Sequence, residues 1–306
     1  MSNTQETIPN AVKFAFGGLA GMGGTLFVQP LDLVKNRMQL SGTTGKKEYR
    51  SSLHALRTII ASEGVFAVYN GLSAGLARQA TYTTTRLGIY TFLFEKFSKD
   101  KAPNFATKAV LGMAAGAVGS FVGNPTEVAL IRMTSDGRLP VEQRRGYTSV
   151  FNAVARIFRE EGVLTLWRGC GPTVMRAMVV NAAQLATYSQ AKQGILSTGY
   201  VKDGIFCHFL ASMISGLATT IASMPVDIAK TRIQNMRIID GKPEYSGSLD
   251  VFRQVIRNEG FFSLWKGFTP YYFRLGPHTV ITFIFLEQMN RLYYKYVLGT
   301  EGHRTL

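Results

Sequence analysis

Long, mostly apolar stretches alternate with short polar ones along this chain, and the alternation occurs three times. The first long stretch of each round runs from about Ala11 to Met38, from about Phe105 to Thr134 and from about Gly204 to Gln234. Small residues recur on them at helical spacing: Gly17, Gly18, Gly21, Gly23 and Gly24, then Gly112, Gly116, Gly119 and Gly123, then Ser212 and Gly216. Small residues four apart let helices approach closely in lipid, where packing rather than water exclusion drives association. The second long stretches, about Leu72–Ser98, Pro172–Ser197 and Phe268–Val297, exceed the roughly 20 residues needed to cross a bilayer. Between the two lie Ser51–Ala61, Thr148–Glu160 and Gly247–Asn258. Each is too short to span and mixes apolar with charged positions, as a helix lying on a membrane surface does. The pattern predicts an all-α membrane protein with six transmembrane helices and three short amphipathic ones, both termini on the same side.

The rounds are repeats. Tyr49, Tyr147 and Tyr245 are 98 residues apart, as are Glu63-Gly64, Glu161-Gly162 and Glu259-Gly260. The same spacing relates Gly71, Gly169 and Gly267, and then Arg78, Arg176 and Arg274. The repeats fall at residues 1–102, 103–200 and 201–306. Three such modules form one body around a pseudo-threefold axis, with a natural place for a central site.

The three arginines, and Arg86 with them, interrupt the second long stretches. An arginine in lipid is costly, so these should face a watery interior. Each of the trio follows its glycine by seven residues, about 10 Å of helical rise, which sets all three at one depth. Three cations at one level call for an anion, and the planar arginine fork suits a small dicarboxylate. Arg78, Tyr82 and Arg86 are four apart and share one helix face. Around them the repeats lose their likeness. Three equal faces serve structure, whereas an asymmetric ligand needs unequal ones, so unequal positions such as Gln184 are candidates for recognition.

Composition sharpens this. Lys and Arg number 34 against 19 Asp and Glu, a formal charge of +15. The partner is therefore acidic: nucleic acid, a membrane surface or small anions. With 46% hydrophobic and only 17% charged residues, a nucleic-acid module is disfavoured. A soluble basic helical-repeat protein is the contrasting reading, and extraction without detergent would distinguish it. The two cysteines have no ligand spacing and the four histidines are scattered. No catalytic triad, metal cluster or phosphate loop is visible, so neither an enzyme nor a cofactor or metal site is expected. Residues 1–10 lack the basic and apolar regions of a secretory signal, and targeting information is expected to be internal.

Each first stretch also carries a proline followed by fixed charges: Pro30-Leu31-Asp32-Leu33-Val34-Lys35-Asn36-Arg37, Pro125-Thr126-Glu127-Val128-Ala129-Leu130-Ile131-Arg132 and Pro225-Val226-Asp227-Ile228-Ala229-Lys230-Thr231-Arg232. Proline kinks a helix, and three kinked rods around an axis converge at one end. Glu-Gly follows each proline by 33 to 36 residues, and an aromatic-x-Gly step comes next: Tyr69-Asn70-Gly71, Trp167-Arg168-Gly169 and Trp265-Lys266-Gly267. In these motifs, along nearly its full length, the chain resembles the mitochondrial carrier family; Asn70 departs from it where a base is usual.

The resemblance implies an inner-membrane antiporter whose central site opens alternately to each side. The segments around Arg78 and Arg176, together with Leu130, resemble members that exchange 2-oxoglutarate for malate or related dicarboxylates. Carriage of phosphate, tricarboxylates or nucleotides is the neighbouring alternative. By the same resemblance Arg78, Tyr82, Arg86, Arg176 and Arg274 bind substrate. A matrix-side gate pairs Glu127 with Lys230 and Asp227 with Lys35, braced by Gln39 and Gln234. Asp32 would face Leu130, which cannot pair with it, leaving two bridges instead of three. Cardiolipin is expected at Gly71, Gly169 and Gly267, where free backbone N–H groups at helix starts suit phosphate.

Overall fold

The computed structural model describes residues 9–43, 48–98, 105–200, 204–236, 238–239 and 242–297. Repeat one comprises α1 (Asn10–Leu40), α2 (Ser52–Glu63) and α3 (Leu72–Phe97). Repeat two comprises α4 (Phe105–Ser135), α5 (Val150–Glu161) and α6 (Cys170–Ser197), and repeat three α7 (Ile205–Asn235), α8 (Ser248–Glu259) and α9 (Phe268–Tyr296). Each helix boundary lies within two residues of the one the sequence pattern suggests. Two features were not foreseen. A 3₁₀ turn follows each short helix, at Val65–Tyr69, Val163–Trp167 and Phe261–Trp265. Among the described residues the only strands are the two-residue pair Ile238–Ile239 and Lys242–Pro243.

The six long helices close a ring: α1 packs on α3 and α9, α3 on α4, α4 on α6, α6 on α7, and α7 on α9. Its polarity is reversed relative to a water-soluble bundle. Large apolar side chains such as Phe27, Phe121 and Phe273 are exposed on the outside, while Asp32, Lys35, Asn124, Asp227 and Lys230 are buried. That is the arrangement a bilayer demands. Among the described residues, Phe14–Leu40 and Phe206–Asn235 are the single helices long and apolar enough to cross a membrane by length and composition. The other long helices are diluted by the polar residues they turn toward the axis.

Local chemistry starts and stops each element. The Ser51 and Ser149 hydroxyls accept the N–H of His54 and Asn152 at the starts of α2 and α5. In repeat three the Asp250 carboxylate instead accepts the Ser246 N–H at 3.1 Å. Counting the six long helices alone, the odd ones are α1, α4 and α7, and the even ones, α3, α6 and α9, begin at Gly71, Gly169 and Gly267, with φ of 82, 76 and 85°. This left-handed conformation is strained for any other residue. Space forbids a side chain as well: a Cβ on Gly71 would lie 2.9 Å from Thr134 Cγ2, and one on Gly169 2.8 Å from Gln234 Cγ.

Pro30, Pro125 and Pro225 sit inside α1, α4 and α7. A proline has no N–H for the carbonyl four residues back. In two repeats that carbonyl finds another donor. The Trp167 indole N–H donates to Phe121 O at 3.1 Å, and that of Trp265 to Ile221 O at 3.0 Å. The tryptophan of the aromatic-basic-Gly step thus caps the kink of its own repeat; Tyr69 in repeat one offers no indole.

The last base of each proline motif is a clamp. Arg37, Arg132 and Arg232 are buried and grip Glu63, Glu161 and Glu259 with both fork nitrogens. Their Nε groups reach into the next repeat, donating to Thr134 O at 2.9 Å, Gln234 O at 3.3 Å and Gln39 O at 3.2 Å. Three identical links therefore run round the ring. Beneath them the short helices seat Ala55 and Ile59 against Leu33 and Val34, and Val251 and Val255 against Ile228 and Ala229.

Candidate functional site

Because the even helices all begin at a glycine pressed against an odd helix, Arg78, Arg176 and Arg274 arrive at one level inside the ring. All six sequence-derived ligand candidates, these three with Tyr82, Arg86 and Gln184, line one cavity of about 380 Å³. Asn181 and His278, which the sequence reading did not single out, line it too. A second, smaller cavity of about 40 Å³ shares the three arginines and Asp32, and adds Lys35, Glu127, Asp227 and Lys230. The arginines therefore stand between an open chamber and a closed ring of charges at the converging proline end.

Two ion pairs of that ring form as expected. Lys230 Nζ lies 2.5 Å from Glu127 Oε1, and Lys35 pairs with Asp227. Gln39 braces the second pair: its Nε2 donates to Asp227 Oδ2 at 2.9 Å, and its Oε1 accepts from the Thr231 hydroxyl at 2.7 Å. Gln234 does not do the same for the first pair. Its amide nitrogen goes instead to Asn124 Oδ1 at 3.4 Å and Thr173 Oγ1 at 3.3 Å, so it ties α7 to α4 and α6.

At the third position no bridge spans the ring among the described residues, and the partner of Asp32 lies elsewhere. Leu130 is buried in an apolar cluster with Ala74, Ala129 and Met133 and offers Asp32 nothing. The α1–α4 seam carries a neutral bond from Asn36 Nδ2 to Thr134 Oγ1 at 3.3 Å. Asp32 is nevertheless paired, because Arg274 Nη1 lies 2.5 Å from its Oδ1. Position 32 thus belongs to the cavity floor as much as to the ring.

Behind the floor, lining neither cavity, stands a residue that sequence reasoning missed. Tyr271 is 4% exposed, and its ring faces Lys35 Nζ at 4.8 Å, Arg274 at 5.3 Å and Arg176 at 5.8 Å. Its hydroxyl accepts from Arg176 Nη2 at 3.0 Å, while Arg176 Nε stands 2.7 Å from Asp227 Oδ1. A signal was available: the positions one and two repeats earlier are Thr173 and Gly75, an inequality as marked as any on the even helices. Arg78 differs from its two counterparts in pairing with no acid among the described residues, whereas Arg176 meets Asp227 and Arg274 meets Asp32. The chamber therefore presents one arginine without an acid, two arginines engaged by acids, and Arg86, which lines its wall. It is built to receive negative charge. Among the described residues no group of metal-ligating side chains comes together.

Comparison with known proteins agrees with this geometry. The family model described as mitochondrial carrier protein matches three consecutive segments, residues 6–101, 101–199 and 201–297. The mitochondrial 2-oxoglutarate/malate carrier protein of Caenorhabditis elegans is 77% identical over 97% of this chain and 97% of its own length. The protein of that name from Homo sapiens is 71% identical over 96% of this chain and 95% of its own. The one from Mus musculus is 69% identical over 98% and 96%. A threefold match that accounts for nearly every residue, on a ring whose three proline motifs converge beneath one chamber, leaves a single assignment: the chain belongs to the mitochondrial carrier family.

Proposed function

We propose that this carrier exchanges 2-oxoglutarate for malate or a related dicarboxylate, using the arginine-lined chamber as its one substrate site. As a member of its family it is a transporter, a multi-pass protein of the mitochondrial inner membrane. The observation that carries the substrate class is the joint lining of a single cavity by Arg78, Arg86, Arg176 and Arg274. A dicarboxylate supplies two negative charges, and forks on three different helices hold its two ends apart in a fixed orientation. Tyr82, Asn181 and Gln184, on two walls only, give the unequal polar contacts that a keto or hydroxy group requires.

Alternating access follows from the floor. In the present arrangement Lys35–Asp227 and Lys230–Glu127 seal the matrix end below the site. Opening to the matrix requires these pairs to part, and the two end states must lie within a few kcal/mol of each other for turnover. Gly71, with Asn70, Ser73, Arg144 and the acids Glu63 and Asp136, borders a surface pocket of about 370 Å³ at the start of α3. A helix N-terminus beside an arginine suits a phosphate headgroup, which supports cardiolipin as a bound lipid there and, by repetition, at Gly169 and Gly267.

Purified protein in liposomes tests the assignment. Labelled external 2-oxoglutarate should enter liposomes loaded with malate and enter empty ones slowly. Robust ADP/ATP exchange without dicarboxylate transport would reject it.

A further inference from the structure

We infer that Asp32 is a resident carboxylate that holds Arg274 while the chamber is empty and yields it to a substrate carboxylate, a positioning residue for exchange and not a member of the gate. The inference rests on the proposed central anion site. Its observations are nevertheless separate from those that identify the substrate.

Three acids occupy equivalent places two residues after the kinks. Glu127 and Asp227 each reach a lysine of the next odd helix. Asp32 has no such lysine, because Leu130 stands there, packed against Ala74 at the start of α3. Its partner is Arg274, 2.5 Å away, and both residues line the large chamber and the small cavity beneath it. The pair is also reachable, with side chains 20% and 10% exposed. A substrate carboxylate arriving at Arg274 therefore meets a carboxylate already in place.

Two carboxylates on one guanidinium repel strongly in a site shielded from bulk water. The tethered one must move, and it has no lysine to move to. A charge without a lysine partner is then left beside the α1–α4 seam, which Asn36 and Arg37 join through their bonds to Thr134 but which no ion pair spans among the described residues. Substrate binding would thereby loosen that seam first. Asp227 also meets a site arginine, Arg176, but retains Lys35 when that arginine is taken, and Glu127 retains Lys230 until the gate opens.

Asp32→Asn and Leu130→Lys test this from opposite sides. The first removes the competing charge; the second leaves it but supplies the missing base. Both should free Arg274 and lower KM for 2-oxoglutarate by about tenfold, equivalent to about 1.4 kcal/mol. The Kd read from 2-oxoglutarate-induced shifts in Tm in detergent should fall in step. Leu130→Lys should in addition lower kcat, because a third bridge must then break on each turnover. If Asp32 were only structural, Asp32→Asn would lower Tm and leave KM alone, and an unchanged or raised KM in the folded variant overturns the inference. Should Asp32→Asn fail to fold, an unchanged KM in Leu130→Lys does the same. Arg274→Ala separates the two levels. Wild-type KM in that variant rejects the central site itself. Loss of exchange there, with no KM effect of Asp32→Asn, rejects only the role of Asp32.

Discussion

One buried phenol behind the chamber touches more of the charged machinery than any arginine does. Tyr271 accepts a hydrogen bond from Arg176 and offers its ring to Lys35, Arg176 and Arg274. Tyr271→Phe keeps the ring and loses the acceptor, at about 1 kcal/mol for one hydrogen bond. Dicarboxylate KM should shift severalfold with little change in the amount of folded carrier; Tyr271→Ala, which loses the ring as well, should impair exchange much further. Arg78 makes the complementary case. It lines the chamber and pairs with no acid among the described residues, unlike Arg176 and Arg274, and a charge-assisted bond contributes about 1.5–3 kcal/mol. Arg78→Ala should therefore cost roughly ten- to hundredfold in kcat/KM, measured by malate/2-oxoglutarate exchange. Arg78→Lys should rescue poorly, because a lysine lacks the fork. The arginines were legible in the sequence because periodicity put them at one depth. Tyr271 and the Asp32–Arg274 pair were not, since they depend on which rotamers meet across an axis that no linear spacing describes.

At the scale of elements, the α-helices of the described residues could be read from the chain because lipid and surface impose different lengths and patterns. The 3₁₀ turns could not, as five residues carry no periodicity of their own. Nor could the arginine clamps, whose partners lie 26 to 29 residues away on another helix. The clamps make an acid-sensitive joint between each short helix and its long one. Burial alone would raise the Glu161 carboxyl, but the hydrogen bond and charge of Arg132 outweigh it and hold the group below its ordinary value. At Glu259 burial is likewise outweighed, by hydrogen bonds from Arg232 and Lys266. A carboxylate with a depressed folded-state pKa stabilises fully above its unfolded value and loses that stabilisation as pH falls through the folded one. Tm in detergent should therefore be flat from neutral pH to about 5 and drop below about 4, near and under the unfolded glutamate range. Glu161→Gln should start lower and show a shallower drop. The proline caps give a second test at this scale. Trp265→Phe leaves Ile221 O without its donor and should lower stability by about 1 kcal/mol in denaturant titrations, while Tyr69→Phe, with no indole to lose, should not.

For the whole molecule, threefold likeness holds where the repeats support one another and fails where they meet the substrate. The three clamp links are chemically the same bond, yet they differ in how much chain each encloses. Arg37 reaches Thr134 across 97 residues and Arg132 reaches Gln234 across 102, but Arg232 returns to Gln39 across 193. A closed ring made from an open chain has a seam, here between repeats three and one, which Lys266 also spans to Ser41 O. Closing a longer loop costs more entropy, so the seam is the last of the three joints to form. An interaction made after the rate-limiting step changes the unfolding rate and leaves the folding rate alone. Arg232→Lys should therefore hasten unfolding while refolding into micelles keeps its pace, whereas Arg37→Lys should slow refolding, as followed by acquisition of protease resistance. Three equal bonds thus acquire an order in time, and repeat three, the last to be synthesised, is the one whose docking closes the ring.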